Sequence, residues 1–251
     1  MYPILLNFGF ITIYSYGLFV AVALIAATYY SSYSIKTSKK KLISQDELHF
    51  LIIYVFILAL AGGRLFYVFT DMGEFVLEPL NIFKLWHGGF VYYGGFISAL
   101  IFLFVHTRKK KMLFLKLCDF FAPVLALAHA IGRIGCFFAG CCYGKHSSLP
   151  WSVVFMDKNS LAIRGEHLHP TQLYEALANF LLFIFLHFYS KKENRAGMIF
   201  GSYLMIYTVL RFIIEFFRND YRGGIFFYFS ISQVISIFLF ITGVYVVCKK
   251  K

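Results

Sequence analysis

The stretch His129-Ala130-Ile131-Gly132-Arg133-Ile134-Gly135-Cys136-Phe137-Phe138-Ala139-Gly140-Cys141-Cys142-Tyr143-Gly144-Lys145 decides how this chain is read. It closes an apolar run and carries Arg133, a permanent cation. At membrane depth a guanidinium needs an anionic partner, backbone carbonyls or a water-filled cavity. Gly132, Gly135, Gly140 and Gly144 surround it. Glycines this close let backbones approach, or let a helix break beside a cavity. Two readings fit: a glycine-lined pocket built around a fixed positive charge, where a lipid headgroup sits, or a snorkelling arginine on a glycine-rich packing helix.

The composition around that stretch excludes a soluble core. Of 251 residues, 60% are hydrophobic and only 14% charged, with 21% aromatic; such a chain lies far outside the ordinary soluble range. The expectation is an all-α polytopic membrane protein, a single domain over 1–251. The formal charge of +12 does not point to nucleic acid, because the lysines lie in short clusters between apolar runs and no nucleic-acid-binding motif is present. Cys118, Cys136, Cys141, Cys142 and Cys248 lie in or beside apolar segments. Adjacent Cys141 and Cys142 are not a zinc-type pair, and buried structural thiols are expected. The start, Met1-Tyr2-Pro3-Ile4, lacks the basic region and cleavage site of a signal peptide.

A spanning helix needs about 20 mostly apolar residues. Seven stretches qualify: roughly 10–33, 47–69, 89–106, 117–138, 172–189, 198–217 and 225–247. Alternate connections are basic: Lys36 and Lys39–Lys41; Arg108 to Lys111 with Lys116; Lys191, Lys192 and Arg195; then Lys249–Lys251. The positive-inside rule then predicts an outer N-terminus and a cytoplasmic C-terminus, which an odd number of spans requires.

Several residues ask for a role. Gly62-Gly63-Arg64 ends the second span, and Trp86-His87-Gly88-Gly89 leads to Tyr93-Gly94-Gly95. Two glycine pairs there predict an irregular or re-entrant segment lining a cavity, or a loop anchored by aromatics. Asp119 is expected to pair with a lysine such as Lys116, and His129 to be a hydrogen-bonded core residue. The outer loop, about 144–170, carries Trp151, Val153, Val154 and Phe155, which suggest a short strand or an interfacial piece. Pro170 suits the first turn of the next helix, putting Gln172 and Glu175 near its positive end. His167 and His169 have no third ligand in reach by sequence, so no metal is expected. Tyr207, Arg211 and Glu215, spaced four apart, stack on one helix face, and Arg211–Glu215 can form an ion pair. Arg133 and Arg211 both fall in the outer halves of their spans, where two guanidinium forks suit a phosphodiester.

These pieces resemble the prolipoprotein diacylglyceryl transferase family. The matching motifs are Tyr16-Gly17, Gly62-Gly63-Arg64, Gly88-Gly89 through Gly94-Gly95, Gly132-Arg133-Ile134-Gly135 through Gly144, His169-Pro170-Thr171-Gln172-Leu173-Tyr174-Glu175, and Leu210-Arg211-Phe212 through Arg218. They occur in family order over nearly the whole chain. The resemblance implies a multi-pass enzyme of the bacterial inner membrane that moves the diacylglyceryl group of phosphatidylglycerol to the lipobox cysteine of prolipoproteins, without metal or other cofactor. It implies catalytic roles for Arg133, Arg211, Tyr16, Tyr207 and Glu215, and phosphatidylglycerol contacts from Arg133, Arg211, Gly94, Gly95, Gly144 and Cys136. Three positions depart from the family pattern. Tyr93 stands for a histidine, Cys136 for an asparagine and Cys141 for a glutamate. The base is therefore open among His87, Tyr93 and His169, or no strong base is needed. The competing readings are a lipid transporter and a non-catalytic lipoprotein-binding relative.

Overall fold

The computed structural model describes residues 2–9, 12–38, 42–83, 91–219, 225–226 and 229–249. In chain order its helices are α1 (Ser15–Thr37), α2 (Gln45–Thr70), the short α3 (Met72–Leu77), α4 (Tyr92–Lys109), α5 (Phe114–Ala139), α6 (Thr171–Ser190), α7 (Met198–Glu215) and α8 (Ile231–Cys248). Each of the seven expected spans meets one of the long helices. Six of them are long and apolar enough to cross a bilayer, while α4 closes on His106, Arg108 and Lys109. The protein is a multi-pass membrane protein. At about 1.5 Å per residue, the 26 residues of α2 reach about 39 Å, more than the roughly 30 Å of hydrocarbon they must cross. Ser44 starts that helix by accepting from the Glu47 amide at 3.1 Å.

Among the described residues, strand is confined to short antiparallel pairs: β1 (Ile4–Asn7) with β2 (Thr12–Tyr14), β3 (Val153–Val154) with β4 (His167–Leu168), and β5 (Ile225–Phe226) with β6 (Phe229–Ser230). The strand expected near Val153 is β3.

The chain divides into two compact units, Ser32–Leu117 and the remainder, Met1–Ser31 with Cys118–Lys251. In the smaller unit α2 and α4 meet through residues without bulk. A Cβ added to Gly95 would lie 2.6 Å from the Ala59 carbonyl, and one on Gly94 would strike the Gly62 carbonyl and Phe66. Small residues let membrane helices approach in this way. Gly94 and Gly95 therefore lie inside α4 and serve helix contact, not the irregular segment expected for them. Trp86 to Phe90, with His87 and the other glycine pair, lies outside the described residues. Arg64 is buried, and its guanidinium donates to the Ile82 and Asn81 carbonyls at 3.1 and 2.5 Å.

In the larger unit α5, α6 and α7 share a core of Ala122, Ala126, Leu182, Leu186, Ile199, Tyr203 and Leu204. The three helices carry the same inward stripe. It runs Ala122, Ala126, His129, Arg133 on α5; Leu186, Leu182, Asn179, Glu175 on α6; and Leu204, Thr208, Arg211, Glu215 on α7. Steps of four, three and four residues keep a stripe on one helical face. Each is apolar at one end and charged at the other, so packing the apolar ends together gathers the charges at the opposite end. At the apolar end Asp119 fixes the start of α7. Its carboxylate accepts from the Gly197 and Phe200 amides at 2.6 and 2.7 Å. That corrects the expected pairing with Lys116, because amides exposed at a helix start attract a carboxylate strongly. On the far side of α7, a Cβ on Gly201 would sit 3.1 Å from the Gly243 carbonyl of α8.

Candidate active site

At the charged end, Glu175 receives three guanidinium groups. Its Oε1 lies 2.9 Å from Arg133 Nη2 and 3.9 Å from Arg211 Nε, and its Oε2 lies 3.5 Å from Arg218 Nη1. The Glu175 side chain is only 3% exposed. Glu215 supports two of the same cations: Arg211 Nη2 at 2.6 Å and Arg218 Nε at 3.9 Å. The Arg211–Glu215 pair is the one the spacing predicted. Charges buried this deeply persist only when paired and hydrogen-bonded. Here, among the described residues, three cations meet two carboxylates. Arg211 Nη1 is buried without a hydrogen-bond partner, while its Nη2 donates to Ser232 Oγ at 3.2 Å. Ser230, which caps α8 in a reciprocal bond with Gln233, also donates to Glu215 Oε1 at 2.8 Å. The start of α8 thereby helps orient the cluster.

The loop after α5 closes over this end. Gly140 and Cys142 both adopt positive φ, +78° and +63°, which turns the chain back on itself; for Cys142 that is an uncommon conformation. Side chains from the first turn of α6 hold the turn: Gln172 Nε2 donates to the Cys141 carbonyl at 2.8 Å and Thr171 Oγ1 to the Cys142 carbonyl at 2.7 Å. Beyond it the Gly144 amide donates to the His169 carbonyl, the Lys145 amide to Phe217 and the Asn219 amide to Tyr143. The loop is thus laced between the approach to α6 and the segment after α7, which is what carries Arg218 to Glu175. A Cβ on Gly144 would lie 2.5 Å from His169 Cβ, 2.6 Å from the His169 carbonyl and 2.8 Å from the Phe217 carbonyl. Two of those atoms are backbone and cannot swing aside. Gly144→Ala is therefore expected to cost about 1–3 kcal/mol by overpacking and to lower activity through Arg218, read by thermal unfolding in micelles and by turnover.

Three thiols stand beside the cations. The sulfurs of Cys136, Cys141 and Cys142 all lie within 4.8 Å of one another. Arg133 Nη1 donates to Cys142 Sγ at 3.4 Å. Hydrogen bonds from the Cys136 and Cys141 thiols push the Cys142 thiol well below its usual range, with the Arg218 and Arg133 charges acting in the same direction.

The structure brings most of the expected site together. Arg133 and Arg211 share Glu175. Tyr207 stands with its ring 5.3 Å from His129, whose Nε2 accepts from Arg133 Nε at 3.1 Å. Tyr16 lies within electrostatic reach of Arg133, brought there by close packing of α1 on Gly135 and by Phe19 stacked 5.2 Å from Phe138. Cys136 is buried in the last turn of α5. His169 is pinned by its backbone, and its Nδ1 lies 3.2 Å from the Tyr174 hydroxyl. Gly94 and Gly95 belong to the smaller unit. Tyr93 is in the first turn of α4, its side chain outside the described residues as His87 is altogether. Sequence reasoning left Glu175 and Arg218 out of the site. A carboxylate four residues from Asn179 on an otherwise apolar inward stripe was the available signal for Glu175; for Arg218 it was the motif that runs from Leu210 to Arg218 and its place three residues after Glu215.

Residues 3–249 match the family model for prolipoprotein diacylglyceryl transferase. The chain belongs to the prolipoprotein diacylglyceryl transferase family. The phosphatidylglycerol–prolipoprotein diacylglyceryl transferase of Clostridium tetani is 39% identical over 246 residues, covering 98% of this chain and 96% of that protein. The second such transferase of Clostridium perfringens is 36% identical over 232 residues, 92% and 89% of the two chains. The transferase of Bordetella avium is 34% identical over 245 residues, 96% and 91%. In this member of the prolipoprotein diacylglyceryl transferase family, the arginines named from its motifs converge on the glutamate of the His169–Glu175 motif.

Proposed function

We propose that this chain transfers the diacylglyceryl group of phosphatidylglycerol to the lipobox cysteine of prolipoproteins, the first step of bacterial lipoprotein maturation. The observation that carries the reading is the convergence of Arg133, Arg211 and Arg218 on one buried carboxylate, with a buried Arg211 nitrogen still to be satisfied. A phosphodiester supplies an anionic acceptor for that nitrogen, and paired guanidinium forks suit its geometry. The lipid's acyl chains also have a place. An apolar groove of about 450 Å³ runs along α6 and α7 past Leu177, Leu181, Phe185, Ile206 and Leu210, beginning at Tyr174, the neighbour of Glu175.

The chemistry is a displacement at the glyceryl carbon that bears the phosphate. The substrate's cysteine attacks as the thiolate, the far better nucleophile. A carbon–sulfur bond forms, the carbon–oxygen bond to phosphate breaks, and glycerol phosphate departs with the electron pair. Arg133 and Arg211 hold the phosphate and stabilise the charge that develops on it, inside a site where such stabilisation is strongest. Glu175 and Glu215 fix the forks in place beforehand. Tyr16 and Tyr207 line the same end and orient the reacting groups. In this reading the N-terminus is outside and the C-terminus cytoplasmic, in the bacterial inner membrane. The charged ends of α5, α6 and α7 then face outward, the side on which a secreted precursor arrives.

The test is purified protein in phosphatidylglycerol vesicles with a synthetic lipobox peptide, followed by mass spectrometry. The expected result is a peptide heavier by one diacylglyceryl group, with matching release of glycerol phosphate, and no product in phosphatidylcholine vesicles. Peptide binding without product in phosphatidylglycerol would reject the enzyme.

A further inference from the structure

We propose that Cys136, Cys141 and Cys142 form a three-thiolate site for a thiophilic closed-shell metal ion, zinc or cuprous copper. The proposal stands apart from the transfer reaction and rests on the shape of the turn after α5. The three sulfurs lie within 4.8 Å of one another. A metal–sulfur bond of about 2.3 Å places sulfurs on one ion about 3.8 Å apart, so closing on an ion requires each sulfur to move by less than an ångström. Among the described residues this is the group of metal-ligating side chains gathered so closely.

The site is built as well as near. Cys136 is fixed in the last turn of α5. Cys141 and Cys142 sit on the turn whose carbonyls Gln172 and Thr171 hold from outside. The positive φ of Cys142 returns its side chain toward Arg133, to which it is hydrogen-bonded, and toward the Cys136 sulfur. Preorganisation of this kind removes much of the ordering cost that a flexible thiol set would bear. The donor set is all sulfur, which selects zinc and copper(I) over magnesium and calcium. Binding releases the thiol protons to solvent and needs no oxidant or reductant. Three thiolates on a divalent or monovalent cation leave net negative charge, and Arg133 Nη1, 3.4 Å from Cys142 Sγ, is the counter-charge already in place. Cys141 and Cys142 are only half-buried, and a water can complete tetrahedral zinc.

The experiment uses the full chain, purified in micelles, reduced and stripped with chelator, and titrated with Cd2+. The expected result is an ultraviolet sulfur-to-metal band that saturates at one equivalent. Cd2+ should also shield Cys136, Cys141 and Cys142 from maleimide while Cys118 and Cys248 react as before, mapped by mass spectrometry on the unmutated protein. Cys136→Ser, Cys141→Ser and Cys142→Ser should each weaken Cd2+ binding at least about tenfold, the smaller end of what even an outer-shell change costs a metal site. Cys118→Ser and Cys248→Ser should bind as wild type. Displacement of Cd2+ by zinc, or by cuprous ion under anaerobic conditions, separates the two candidate ions. No saturating band, or maleimide labelling of the three thiols unchanged by Cd2+, would overturn the proposal.

Discussion

Glu175→Gln should abolish transfer and lower stability by about 3–5 kcal/mol, the cost of removing one partner from a buried ion pair. The substitution keeps the shape of the side chain and takes away one negative charge. Arg133, Arg211 and Arg218 all reach that carboxylate, so they would repel one another more strongly, with Glu215 still between two of them. Thermal unfolding in micelles measures the first effect and lipidation of a lipobox peptide the second. Near-wild-type values in both would mean that Glu175 is not what holds the three guanidinium groups. Glu175→Asp separates charge from reach: it should recover part of the stability and little of the turnover, since the shorter carboxylate cannot span to all three.

The second large effect is expected at the two arginines named by the motifs. Arg133→Ala and Arg211→Ala should each lower kcat by about 10²–10³-fold, the usual loss when one preorganised donor to developing charge is removed. Arg→Lys at either position keeps the charge but loses the planar fork, so it should restore only a minor part of the rate. Steady-state assays in phosphatidylglycerol vesicles, with lipid and peptide varied separately, distinguish the roles. A rise in the lipid requirement alone, at unchanged kcat, would place the arginine in ground-state binding and not in stabilising the departing phosphate.

The membrane fold and the arginine pair were legible in the sequence because both leave local marks. Hydropathy and loop charge locate spans without tertiary information, and each of the seven expected segments meets a long helix. Arg211 and Glu215 are one turn apart, so their pairing follows from helix geometry alone. The glutamate at the centre was harder to see. Glu175 looks like a favourable acid near a helix start, and only the packing of α5 and α7 against α6 makes it the meeting point of three cations. Asp119 shows the same difficulty: its partners are amides at Gly197 and Phe200, far along the chain, while Lys116 was merely the near cation. Gly94 and Gly95 looked like loop residues because glycine pairs favour turns, but α2 needed a smooth surface to lie against. The thiol trio carries no metal spacing in sequence, since its third member comes from a helix and the other two from a strained turn.

The attachment of α7 at both ends limits how this protein can move while it works. Asp119 rivets the first turn to α5, and Glu175 rivets the last turn to α6 through Arg211. Axial sliding by one residue, about 1.5 Å, would strain both attachments together. A piston stroke of α7 therefore works against both of its ends at once. Admission of bulky reactants has to come from sideways yielding of the surrounding helices and loops, with the charged end held still throughout.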